Sequence, residues 1–168
     1  KHSAGTELQE DRRNRKLVVR LNANSAAREG MKFEDTIVHE LTHAFDPKQL
    51  KNIKNPYEND PNEDRSYYLD PLEFDARMAE MYSTLRRGLI QTVSSGGDGQ
   101  QWLNQQRQKI NNIPFQQIIQ ELGIITEPGM KLYFADPKIV RQIGQKYVGA
   151  LNALQNEIPM QNQKTSSK

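Results

Sequence analysis

His39-Glu40-Leu41-Thr42-His43 is the segment of this chain best equipped for chemistry. Two of the chain's three histidines fall in it, and the third is His2. Placed on a helix at about 100° per residue, His39 and His43 stand one turn apart on the same side. Two imidazoles so arranged can grip one metal ion. Glu40 points to one side of the pair, within reach of a water beside that ion without being a ligand. Zinc in such a site polarises a carbonyl and makes water acidic, with a pKa toward about 7. Glu40 would take the water's proton and pass it to a leaving amine. A shuffled chain with 3 His and 12 Glu in 168 residues would show His-Glu-x-x-His roughly once in 400 times, so chance is a weak rival. The other reading is a pair of exposed helix histidines with no metal.

A catalytic zinc takes three protein ligands and keeps one position open. The chain has no cysteine, so the third ligand must be His, Asp or Glu. Asp46, Asp70, Glu73, Asp75 and Glu80 are the downstream candidates. Asp46 follows His43 too closely for a second element to bring it round. Glu73 and Glu80 share one face of a later helix, with Arg77 between them, and Asp75 lies nearer that helix's apolar edge. Asp70 has a structural role of its own as a helix N-cap, and Glu73 three residues on completes a capping box. His2 is the remaining, terminal alternative.

The elements that must position these residues can be read from period and punctuation. Lys32 to about Phe45 has helical period. Phe33, Ile37, Val38, Leu41, Ala44 and Phe45 fall within an arc of about 140°, the expected core face, with the histidines opposite. Asp70-Pro71 opens a second helix that runs to about Arg87 and stops at Gly88. Lys16 to Asn22 reads as a strand, residues 22–30 as a connection and residues 47–69 as a long loop. The 94–99 segment reads as a joint. Gln101–Asn112 and Pro114–Leu122 read as helices, with Gly123 as a C-cap. Lys131–Phe134 is expected as a short strand. Asp136-Pro137 opens a last helix, whose stripe of Ile139, Val140, Ile143, Tyr147, Val148, Leu151 and Leu154 must pack on something. Residues 1–15 and 159–168 are expected as flexible, irregular ends. Residues 1–168 fit a single domain, with the motif in 16–87 and a helical part in 88–158.

Composition sets the outer bounds. Hydrophobic residues make up 35% of the chain and mean hydropathy is -0.86, which predicts a thin core. No apolar run approaches the ~20 residues of a membrane span, and no signal peptide is visible, so the compartment stays open. The chain starts at Lys1, not Met, and reads as a processed product or a fragment. Its net charge is +2, with basic residues gathered in 1–20 and acidic ones in 58–80. Both stretches suit solvated surface. The basic start carries no nucleic-acid motif, and the acidic stretch lacks the spacing of a calcium loop. The expected partner is a protein or peptide substrate, with no membrane and no nucleic acid.

The His39–His43 motif resembles that of the zincin metallopeptidases. Glu73-Phe74-Asp75-Ala76, about thirty residues on, resembles the glutamate helix of the gluzincin branch. It is also similar to the small zincins of phages, mobile elements and bacterial effectors, and to ImmA/IrrE-type peptidases. The likeness covers about residues 16–87. It implies a zinc-dependent endopeptidase with His39, His43 and Glu73 as metal ligands and Glu40 as catalytic base. It implies an α+β, helix-rich fold, with a small sheet over the active-site helix whose edge strand holds the substrate. Classical gluzincins carry Asn before that Glu and Asp four after it, where this chain has Leu72 and Arg77. The carboxylate that should orient one histidine is therefore unassigned, and Asp75 could serve. Metzincins do not match, because the Gly and third His that extend their motif are absent. Tyr67 and Tyr68 are candidates for stabilising an oxyanion, ordinary packing being the alternative. The rival function is a non-catalytic interaction module with a structural or vestigial zinc site.

Overall fold

The structure is a computed structural model that describes residues 7–11, 16–20, 33–45 and 54–158. Its elements in chain order are strands β1 (Glu7–Asp11) and β2 (Lys16–Arg20), followed by helices α1 (Phe33–Phe45) and α2 (Glu63–Tyr68). Then come α3 (Pro71–Ser94), α4 (Gly99–Asn112) and α5 (Phe115–Leu122). The last two are α6 (Glu127–Phe134) and α7 (Pro137–Gln155).

The spine is α3. It opens on Asp70, whose side chain accepts from the Leu72 amide at 2.8 Å, with Pro71 in the first turn. Its 24 residues span about 36 Å, enough to carry several neighbours. Helices α1, α4 and α7 pack along it. Met81, Leu85 and Leu89 recur every four residues and are buried, so one stripe of α3 forms the middle of the core. Leu103 of α4 and Ile143, Tyr147, Leu151 and Leu154 of α7 close on that stripe. Asp98 caps α4 and Asp136 caps α7, the latter accepting from the Lys138 amide at 2.8 Å. Gly123 ends α5 in the left-handed region, with φ of 66°.

Several expectations need correction. The α+β architecture with a sheet over the motif helix is not what the chain builds. Among the described residues the body is helical, and the β structure is a two-stranded antiparallel ribbon, Glu7 opposite Arg20 through Asp11 opposite Lys16. The surface packed on α1 is α3, not a sheet. The physical reason lies in the pattern: one short β-branched run, Leu17-Val18-Val19, is too little strand to cover a helix. Lys131–Phe134 is the end of a helix, not a strand, because Glu127-Pro128 starts α6 four residues earlier. Residues 7–11 are paired in β1 and not irregular. The 47–69 loop holds a short helix, α2, capped by Asn62. Gly88 does not stop α3, which runs on to Ser94. The glycine meets a packing need instead: a Cβ there would stand 2.8 Å from Trp102 Cζ2, so its absence lets α4 lie close. In α7, Val148 faces solvent at 44% exposure and Ile139 and Val140 are half-buried, while Ile143, Tyr147, Leu151 and Leu154 turn inward. Residues 22–30, Asp46 and the 159–168 end lie outside the described residues.

Candidate metal centre

Helix α1 meets α3 through polar groups. Its expected core face is open at one end: Leu41 is 38% and Phe45 is 68% exposed. The histidine side is the one turned inward, with His39 only 6% exposed. It faces a polar stripe on α3 made by Glu73, Arg77 and Glu80, all buried. These recur at four and then three residues, so helical period puts them on one side.

Three atoms converge. His39 Nε2 and His43 Nε2 are 3.0 Å apart. Glu73 Oε2 lies 3.2 Å from the first and 3.3 Å from the second. Around a four-coordinate zinc with bonds of about 2.0–2.1 Å, neighbouring ligand atoms stand about 3.3 Å apart. The three side chains therefore fit a metal ion as they stand, and they form a buried His39–His43–Glu73 group able to hold one. Chemistry of the donors points the same way. His39 Nδ1 lies 2.9 Å from Glu80 Oε1, close enough for the imidazole proton to reside on that nitrogen, although the N–H axis is not squarely aligned on the oxygen. Nε2 then offers a lone pair to a carboxylate and to a second imidazole. Three lone-pair atoms this close need a cation between them, either a proton or a metal ion.

Glu73 is not a capping-box residue. Both its oxygens are committed elsewhere: Oε2 to the histidines and Oε1 to Arg77 Nε at 2.8 Å. Burial alone would raise its pKa, but His39, His43 and Arg77 outweigh that and hold it well below the usual carboxylate range. Arg77 also donates to Glu80 Oε2 at 3.2 Å, to the Tyr67 hydroxyl at 3.0 Å and to the Ile124 carbonyl at 3.4 Å. Burial works against its charge, and the two glutamates reverse that and keep it firmly protonated.

The other sequence candidates separate cleanly. Asp70 is occupied as the α3 cap. Asp75 stands 3.9 Å from Lys146, and Glu80 takes the place against His39 that Asp75 was expected to fill. Asp46 and His2 lie outside the described residues. Glu40 is half-buried on α1 beside His39 and has no hydrogen-bond or ion-pair partner among the described residues. Tyr68 belongs to the core, buried, with its hydroxyl against Thr126 and its ring edge-on to Tyr133. Tyr67 is 40% exposed and, through Arg77, sits beside the metal group. Burial and the nearby Glu73 push its phenol pKa up, which keeps it a hydrogen donor.

What sequence reasoning missed is the double role of Arg77 and Glu80. The signal was present as the Glu73–Arg77–Glu80 stripe on an otherwise amphipathic helix. The Ile124 carbonyl, from a segment 47 residues away, left no trace in it. Compared with known proteins, the chain matches no family model, no curated protein and no solved structure.

Proposed function

We propose that this chain is a zinc-dependent endopeptidase in which His39, His43 and Glu73 hold the metal and Glu40 is the catalytic base. The observation that carries this reading is the convergence of two imidazole nitrogens and one carboxylate oxygen, 3.0 to 3.3 Å apart, in a buried group. When bound, zinc supplies a Lewis acid for the scissile carbonyl and acidifies the attacking water. Glu40 follows His39 in sequence and is free of other partners among the described residues, so its carboxylate can accept the water's proton and return it to the leaving amine. Glu80 holds His39 by its second nitrogen and fixes which one faces the metal. Tyr67, kept protonated, supports the developing oxyanion. Among the described residues no sheet edge lies over α1; an apolar groove of about 740 Å³ whose wall includes Thr42, Phe45, Met78 and Ala79 runs beside that helix, and none of the metal-holding residues lines it.

Elemental analysis of the purified protein tests the metal first. The expectation is one zinc per wild-type chain, lost or much weakened in Glu73→Ala. No zinc in wild type after metal is supplied would leave the cluster as a buried ion network and end the peptidase reading. The second test separates catalysis from a structural zinc. Glu40→Ala should keep its zinc and cleave casein or a mixed peptide library about 10²–10⁴-fold more slowly. Equal activity in that variant would remove Glu40 from the mechanism, and absence of cleavage by zinc-loaded wild type would favour the non-catalytic interaction module.

A further inference from the structure

Arg77 divides the two carboxylates of α3 between itself and the histidines. It takes Glu73 Oε1 at 2.8 Å, leaving Oε2 for the two imidazoles at 3.2 and 3.3 Å. It takes Glu80 Oε2 at 3.2 Å and touches Oε1 only at 3.5 Å, while Oε1 lies 2.9 Å from His39 Nδ1. Three different nitrogens of one planar fork do this work, Nε to Glu73, Nη1 to Glu80 and Nη2 to Tyr67. A lysine has one nitrogen and cannot reproduce it.

The consequence concerns coordination number. A free glutamate can bind a metal ion through both oxygens, which would raise the coordination number and crowd the position that a catalytic site must leave to water. From this geometry we infer that Arg77 is a positioning residue that keeps Glu73 a single-oxygen ligand, and so keeps the fourth position of the centre open. The inference rests on the metal-centre reading above. It also explains why a buried cation stands beside a site meant for another cation. Two glutamates and one arginine leave a net charge of one minus to attract a divalent ion, while the arginine denies that ion the second oxygen.

Cobalt(II) added to the metal-free full chain reads this directly, because its visible absorption is strong when four-coordinate and weak when five- or six-coordinate. Wild type should show the strong band at one equivalent. Arg77→Lys keeps the buried charge but loses the fork; the second Glu73 oxygen then adds beside the bound water, the ion becomes five-coordinate, and at full loading its band should fall roughly two-fold or more. Arg77→Gln should do the same. Loaded variants with the wild-type band would overturn the role of Arg77 while leaving the metal centre standing. Wild type that takes up no cobalt would overturn both. X-ray absorption of the zinc-loaded wild type needs no variant: four nitrogen or oxygen neighbours at about 2.0–2.1 Å are expected, and a second, longer Glu73 oxygen in the shell would overturn the inference.

Discussion

His39 lies between two carboxylates, with Glu73 at 3.2 Å from one ring nitrogen and Glu80 at 2.9 Å from the other. Burial alone would lower its pKa. The two carboxylates outweigh burial and hold it up, from 6.5 to about 9. A histidine whose folded pKa is raised contributes stability that is full below its unfolded pKa and lost as pH rises through the folded one. Metal-free wild type in chelator should therefore lose thermal stability between pH 6.5 and about 9, and His39→Gln should lose less over the same range. Equal slopes in a calorimetric series would show that His39 carries no extra proton. At this scale much was legible. The histidine pair follows from residue type and helical spacing, whereas Glu73 was one of several acidic candidates until the resemblance singled it out. The orienting carboxylate was sought at Asp75 and found at Glu80, because one residue's shift around a helix is about 100° and α1 had first to be placed against α3. The inward turn of the histidines was not legible either. Leu41 and Phe45 gave α1 an apolar face that looked like its packing side, whereas the side bearing His39 is the one that meets the buried charges of α3.

The long helix α3 shows what an element needs beyond period. Its start was readable from Asp70-Pro71, since a cap and a proline act locally. Its end was not, because Gly88 serves a neighbour and not the helix itself. Gly88→Ala would gain helix propensity of about 1 kcal/mol. However, it sets a methyl 2.8 Å from Trp102 Cζ2, and overpacking a well-filled contact costs about 1–3 kcal/mol. The net expectation is a less stable protein, measured as a lower urea midpoint with unchanged zinc content. A midpoint equal to or above wild type would mean that Trp102 gives way freely. The missed turn of α6 has a similar origin: Leu132, Tyr133 and Phe134 suit a strand by type, and only Glu127-Pro128 upstream declares a helix. Local signals at element starts thus carried further than composition inside them.

For the whole molecule, the body of α3, α4 and α7 is joined by apolar side chains, while among the described side chains α1 meets it through the contacts of His39 and His43 with Glu73 and Glu80. These two kinds of joint answer to different conditions. Metal at one hundred times its dissociation constant stabilises the folded form by about 2.7 kcal/mol. That gain should be localised. Chelation is expected to speed amide exchange in α1 by a large factor, while buried positions of α7 such as Leu151 stay protected. Uniform deprotection of both helices would refute this division. Pattern alone indicated a helix-rich domain with one or two short strands, and the described residues are helix-rich. The absence of a covering sheet among the described residues was not available from pattern, since the sheet was borrowed from a likeness and had one strand's worth of β-branched residues behind it. The close approach at Gly88 also makes the chain self-reporting. Trp102 is its single tryptophan, and it rests on α3 eleven residues beyond Arg77. Its fluorescence therefore watches the α3–α4 seam and ignores α1, so one optical signal distinguishes a protein that has dropped its first helix from one that has come apart.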